Sequence, residues 1–237
     1  MPSVAIYGDS GMGKTMIMEK FRRDRPSDFD PDTGEARTPV LALQMSGKPN
    51  ERRLYAQLLT ALGAPHNPRA TIVDLEQKAI SLLKTAHIKV LIIDEVHNML
   101  CGSNRDQRVV LNTLRFLNNE LKMSLVCFGV AEAREAIHGD VQLARRFVSF
   151  SLPRWSANDD YEDLIRATLR NLPLRQPSVL TVKSLRRILS VSDGLTAKIF
   201  SMLNALAIAA IEKRDERITD EAVLLWAPVV KPEPTYS

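Results

Sequence analysis

Gly8-Asp9-Ser10-Gly11-Met12-Gly13-Lys14-Thr15 follows directly on the apolar run Ser3-Val4-Ala5-Ile6-Tyr7 and leads into Met16, Ile17, Met18 and Phe21. The octet fits G-x-x-x-x-G-K-[ST], and its flanks predict a buried strand, a tight turn and a helix. Glycines let such a turn close around a polyphosphate, and the first amides of the helix then face the anion. In that arrangement Lys14 reaches the β- and γ-phosphates and Thr15 gives its hydroxyl to Mg²⁺. Gly8, Asp9, Ser10, Gly11, Met12 and Gly13 line the cradle, with Asp9 and Ser10 as variable positions. The alternative is a Gly-rich turn before an ordinary helix. At average residue usage the pattern arises by chance in a chain this long about once in a hundred.

Lys89-Val90-Leu91-Ile92-Ile93-Asp94-Glu95 is an apolar run closed by two carboxylates. It has the form of a central parallel strand ending at the ligand edge of a doubly wound sheet. There Asp94 holds the Mg²⁺ shell through water, and Glu95 polarises the attacking water. An apolar strand ending in Asp-Glu is common by itself. In this order after the phosphate loop, it predicts a P-loop NTPase with ATP and Mg²⁺ as its ligands.

The composition agrees. A chain of 237 residues can bury a full core and holds one α/β domain plus a smaller appendage. With 45% hydrophobic and 25% charged residues, it reads as an ordinary soluble protein. Ile199 to Ile211 is interrupted by Ser201 and Asn204, so it suits a core helix and not a membrane span. The first strand begins at once, so no signal peptide is expected. Cys101 and Cys127 lack metal-ligand spacing and are expected as reduced thiols of a cytoplasmic protein. The net charge of +4 permits an anionic partner such as nucleic acid without requiring one.

Strands and helices are expected to alternate as far as residue 151. Arg23 to Arg37 is a polar loop, and Val40 to Met45 a strand. Asn50 to Leu62 is a helix, as is the segment from Thr71 to Ala86, where Asp74 completes a capping-box start. Asp106 to Leu121 is helical, and Ser124 to Phe128 and Val148 to Leu152 are strands. Beyond Pro153 the periodicity is helical only, over 160–171, 181–191, 194–213 and 219–226, with Thr181 and Thr219 as N-caps. The expected domains are therefore a nucleotide-binding α/β domain at 1–152, a helical lid at 153–228 and a tail at 229–237. A mostly parallel five-stranded sheet followed by a helical lid is the layout of an AAA+ module.

Several segments carry a closer resemblance: Gln44-Met45, Leu91 to Asn98, Leu114-Arg115-Phe116-Leu117-Asn118-Asn119-Glu120-Leu121, Gln142 to Phe147, Leu172 to Arg175, and Ser192-Asp193-Gly194. Through them nearly all of the chain resembles the TniB family of transposition ATPases, relatives of the TnsC regulators within AAA+. The resemblance implies an ATP-dependent factor that oligomerises on duplex DNA as a ring or filament. It also implies a transposase and a TniQ-like target-selection protein as partners. Family members carry a region ahead of the first strand, so the chain is expected to be truncated there. The strand that ends in Gly-Thr in the family ends here in Gly129-Val130. Val130 cannot hydrogen-bond to the γ-phosphate, so that sensing role is either lost or delegated to Asn98 or Ser124, and slow hydrolysis is expected.

Arg146 matches the arginine that AAA+ proteins present to a neighbour's γ-phosphate, where a planar guanidinium clamps oxygens and offsets charge. Arg145 is its alternate, and a solvated arginine at a helix end is the plainer reading. Lys198 sits where a lid residue could touch phosphate but reads as a surface lysine. Lys48, Arg52 and Arg53, with Arg69 and Thr71, combine basic side chains with helix N-terminal amides, which suits contacts to a DNA backbone, the alternative being ordinary solvated charges. In the resembling family, loops at these places line a helical filament. The aromatic content of 5% argues against stacking on single strands.

His66, His87, His97 and His138 lack metal or triad spacing; His97 could orient water beside Glu95, but it reads more simply as a structural histidine. Ser10 and Cys101 have no recognisable base, so covalent catalysis is not expected. The reading that results is an AAA+ ATPase regulating transposition. A helicase-loader or initiator ATPase, and a nucleotide-gated scaffold that does not hydrolyse, are the alternatives.

Overall fold

The computed structural model describes residues 2–31, 34–138 and 141–228, and the expected tail at 229–237 lies outside the described residues. The chain divides into two compact units, Met1–Leu152 and Pro153–Ser237.

The first unit opens with β1 (Ser3–Tyr7), α1 (Lys14–Arg23), β2 (Asp28–Asp30), β3 (Glu35–Arg37) and β4 (Val40–Gln44). It continues with α2 (Glu51–Ala61), α3 (Ile72–Thr85), β5 (Val90–Asp94), a 3-10 helix (Val96–Cys101) and α4 (Asn104–Glu120). β6 (Ser124–Gly129), α5 (Ala133–His138), α6 (Val141–Ala144) and β7 (Phe147–Ser151) complete it. Five strands form one sheet in the order β4-β5-β6-β1-β7, and every pairing in it is parallel. This is the P-loop AAA+ sheet that the sequence predicts.

Two-residue alternation explains how the sheet is covered. Leu41, Leu43, Leu91, Ile93, Leu125, Cys127, Ala5 and Tyr7 share one core with Leu54 and Leu58 of α2, Leu75 and Leu83 of α3, and Leu114 and Leu117 of α4. The intervening residues Val40, Ile92 and Phe128 pack with Met18 of α1 on the other face. Leu91, Ile92 and Ile93 are at most 1% exposed, so β5 is covered on both sides, as its unbroken apolar run requires. Burial pushes the Cys127 thiol up to about 12, which keeps it protonated and inert.

Helix boundaries follow capping chemistry. Thr71 and Asp74 form a reciprocal capping box at the start of α3, and the Thr71 bonds hold the Asp74 carboxyl below its ordinary range. α4 begins two residues ahead of the expected position because Ser103 accepts from the Asp106 amide. The expected polar loop at 23–37 contains a two-stranded antiparallel ribbon, with Asp28 opposite Arg37 and Phe29 opposite Ala36. Acidic and proline residues mask so short a pairing in the sequence.

The second unit comprises α7 (Asp159–Asn171), α8 (Val182–Ser192), α9 (Thr196–Glu212) and α10 (Asp220–Leu225). Tyr161, Ile165, Ile188, Ile199, Leu203, Leu206 and Val223 form its core. Tyr161 donates its hydroxyl to the Leu185 carbonyl at 2.9 Å, so its one polar atom is satisfied. Thr219 caps α10 by accepting from Ala222. Thr181, in contrast, stands at the expected N-cap position of α8 but makes no side-chain capping bond. Its amide and hydroxyl donate to Asp220 Oδ1 at 2.9 Å each, joined there by the Ser184 hydroxyl. Among the described residues, no helix is long and apolar enough to cross a membrane.

Candidate functional site

β1 lies between β6 and β7, and its neighbours Gly129 and Ser151 pair with Tyr7, so the three strands end together. The chain then turns through Gly8 to Gly13. The Gly8 amide donates to Gly129 O at 3.1 Å, and a side chain at Gly8 would put its Cβ 3.0 Å from that of Leu152. Gly13 stands at φ 90°, ψ 15° and caps α1 without a side chain. L-residues adopt that conformation only under strain, so the turn depends on glycine here.

Lys14, 6% exposed, folds back into the loop and donates Nζ to Gly8 O at 2.7 Å and to Asp9 O at 3.0 Å. An ammonium has three donors, so one remains for an anion in the loop. α1 has no acidic residue in its first turn to compete with such an anion.

β6 separates β1 from β5, which puts the strand ends about 9.5 Å apart, at two strand spacings. The first turn of α1 bridges that gap. Thr15 Oγ1 donates to Asp94 Oδ2 at 3.2 Å, while Asp94 Oδ1 accepts from the Glu95 amide at 2.9 Å. A hydroxyl and a 7%-exposed carboxylate meeting at the phosphate loop are hard oxygen donors that fit Mg²⁺. Among the described residues no three His, Cys, Asp or Glu side chains cluster as a metal cage. Mg²⁺ bound here would therefore take Thr15 and the Asp94 side, with phosphate and water completing its shell.

Glu95 leaves the strand in the left-handed region, at φ 53°, ψ 39°, and starts the 3-10 helix. A non-glycine residue held there costs on the order of 1–3 kcal/mol, and such strain clusters at functional positions. Its half-buried carboxylate lies 3.1 Å from His97 Nε2, so the imidazole stands directly beside the carboxylate. Asn98 donates to the Met45 carbonyl at 2.9 Å, tying the 3-10 helix to the end of β4. Ser124 cannot act as the nucleotide-sensing residue, because it begins β6. That strand runs toward the phosphate loop, so Ser124 sits about 17 Å away at the opposite edge of the sheet. Val130 directly follows the end of β6.

Arg146 immediately precedes β7. Its Nη1 donates to Asn118 Oδ1 at 2.7 Å and also to Asn119 Oδ1, both at the end of α4. Arg145 is exposed, and Lys198 forms a 2.6 Å ion pair with Asp193.

The basic residues come together in an unexpected way. Arg52 spans from α2 to the loop before α3, donating Nη1 to Ala70 O and Nη2 to Pro68 O. It thus unites both clusters but spends its guanidinium on the fold. The Thr71 hydroxyl is likewise engaged with Asp74. Lys48, Arg53 and Arg69 are exposed, with Arg53 Nη1 donating to Lys48 O at 3.2 Å.

Among solved structures, the chain resembles the Aeropyrum pernix Orc2 protein in its ADPNP-ADP complexes, at 16% identity and a TM-score of 0.67, covering 94% of this chain and 60% of that one. It also resembles the Aeropyrum pernix Orc1 protein in complex with DNA, at 17% identity and a TM-score of 0.63, covering 94% and 58%. A mutant of Thermotoga maritima RuvB aligns at 11% identity with a TM-score of 0.55, covering 94% and 60%. The chain spans about six-tenths of the length of these relatives, and the likeness is one of fold. No curated protein matches the chain. The family model described as bacterial TniB protein matches residues 1–157, about two-thirds of the sequence, and the chain belongs to the TniB family.

Proposed function

We propose that the chain is an ATPase that regulates DNA transposition, binding ATP in the Gly8–Thr15 loop and assembling with further copies on duplex DNA. The observation that carries this reading is the meeting of Thr15 with Asp94 beside the buried Lys14, in a chain of the TniB family. Residues 1–152 act as the nucleotide-binding domain and the helical unit to residue 228 as its lid.

Lys14 binds the β- and γ-phosphates with the donor its two carbonyl bonds leave over. Thr15 and Asp94 hold Mg²⁺, which when bound neutralises charge on the phosphate oxygens. Glu95 accepts a proton from the water that attacks the γ-phosphorus. Arg146 serves the γ-phosphate of an adjacent copy. Val130 offers no hydrogen bond at the end of β6, so turnover is slow. Lys48, Arg53 and Arg69 contact the DNA backbone without reading bases. The assembled protein recruits a transposase and a TniQ-like protein.

ATP turnover measured with and without duplex DNA, for the wild type and Glu95→Gln, tests this reading. Slow, DNA-stimulated turnover that falls about 10²- to 10⁴-fold in the variant supports it. Tight ATP binding with no turnover in either protein would favour a nucleotide-gated scaffold instead.

A further inference from the structure

The segment Leu117-Asn118-Asn119-Glu120 has no role in the reading above, yet the structure places it directly against Arg146. Asn118 is a polar residue 1% exposed at the end of α4, held there by its fully buried neighbour Leu117. Its Nδ2 donates to the Met123 carbonyl at 2.6 Å, which fixes the orientation of the amide and turns Oδ1 toward Arg146. Arg146 Nη1 then donates to Asn118 Oδ1 at 2.7 Å and to Asn119 Oδ1. The backbone is fixed as well, since the Arg146 carbonyl accepts from the Ser3 amide at 2.9 Å.

A guanidinium carries five N–H donors in a rigid plane. The two amides occupy Nη1, while among the described residues Nε and Nη2 have no partner. That remaining edge is one that grips two oxygens of a phosphate in parallel. A partly exposed arginine can leave such an edge to solvent, so what sets Arg146 apart is that two side-chain amides fix its Nη1. Arg52 provides the contrast, since both of its terminal nitrogens are bonded to backbone carbonyls.

We propose that Asn118 and Asn119 are positioning residues for Arg146, holding Nη1 so that the Nε–Nη2 edge is preset to clamp the γ-phosphate of ATP bound to an adjacent copy of the chain. The proposal rests on the role of Arg146 given above. Holding the side chain in advance removes the cost of ordering a long, flexible group as the transition state forms. The two asparagines therefore govern kcat and leave ATP affinity alone.

The test is steady-state ATP turnover by the full chain on duplex DNA. Asn119 is exposed, so Asn119→Ala leaves the core intact. It should lower kcat about tenfold or more at unchanged KM, as expected for misplacing a reacting group. Asn119→Asp keeps the acceptor and should restore most of the rate. In an Arg146→Ala background, Asn119→Ala should have no further effect. Asn118→Leu, checked by thermal melting, should regain turnover when mixed with Glu95→Gln subunits, which bind ATP and hold their own Arg146 correctly but do not themselves turn over. If Arg146→Ala turns over like wild type, the role of Arg146 itself is wrong. If Arg146→Ala is inactive while Asn119→Ala and Asn118→Leu keep full kcat, or if the losses simply multiply, the positioning role is overturned.

Discussion

Thr15 Oγ1 and Asp94 Oδ2, 79 residues apart in the chain, lie 3.2 Å from one another. This contact brings the two halves of the site together across an intervening strand. It exists because β6 is inserted between β1 and β5, so that the first turn of α1 must reach sideways over the end of the sheet. Asp94 is fixed through its other oxygen by the Glu95 amide, and that places the next carboxylate at the sheet edge.

Removing the ammonium should abolish nucleotide binding. Lys14→Ala deletes the buried cation in the loop, and losing one partner of a buried charge pair costs about 2–5 kcal/mol. ATP affinity should therefore fall at least about thirtyfold in a calorimetric titration. Wild-type affinity would remove Lys14 from the site.

Thr15→Val keeps the shape of the side chain and deletes its hydroxyl. Because the hydroxyl is assigned to the metal and not to the phosphate, Mg²⁺-dependent affinity should weaken while binding of ATP in EDTA is little changed. An equal loss in both conditions would mean that Thr15 acts elsewhere.

The basic surface should separate into two behaviours. Arg52→Ala breaks the ties to Pro68 and Ala70 and should destabilise the fold by about 1–3 kcal/mol, seen as a lower melting temperature. Replacing Lys48 and Arg69 together should leave the melting temperature alone. It should flatten the salt dependence of duplex binding by about 0.9 per lost phosphate contact. A salt slope that does not change on the double replacement would locate the DNA elsewhere.

The Asp220 carboxyl is held below its ordinary range, first by the Ser184 hydroxyl and then by the Thr181 amide. A depressed carboxylate contributes stability above its unfolded value near 3.9, and loses it as pH falls through the folded value. Asp220→Asn should therefore melt earlier than wild type at pH 6, and the gap should begin to narrow as pH falls below about 4. A gap that persists unchanged at pH 3 would show that the charge of Asp220 is not what matters.

Features that repeat or that are local can be read from the sequence. The apolar run at 90–93 announces a strand covered on both faces, and Thr71 with Asp74 announces the start of α3. The phosphate loop carries its own signature, and its flanks give the context. Contacts between side chains far apart in the chain leave no such trace. Nothing in the spacing of Arg52 signals two carbonyls at Pro68 and Ala70, and nothing near Arg146 points to Asn118. Thr181 has the residue type of an N-cap and stands at that position, yet its hydroxyl is turned toward Asp220, 39 residues away, and makes no capping bond. The ribbon at 28–37 is hidden because its residues are poor strand formers.

The central claim is that nucleotide in the Gly8–Thr15 loop controls assembly on DNA. Fluorescence anisotropy of a labelled duplex, titrated with the protein in ATP and in ADP, tests it most directly. The expected result is tight, cooperative binding in ATP on two unrelated duplexes, weak binding in ADP, and no response to ATP in Lys14→Ala. Equally tight binding in ADP, or by Lys14→Ala in ATP, would contradict it.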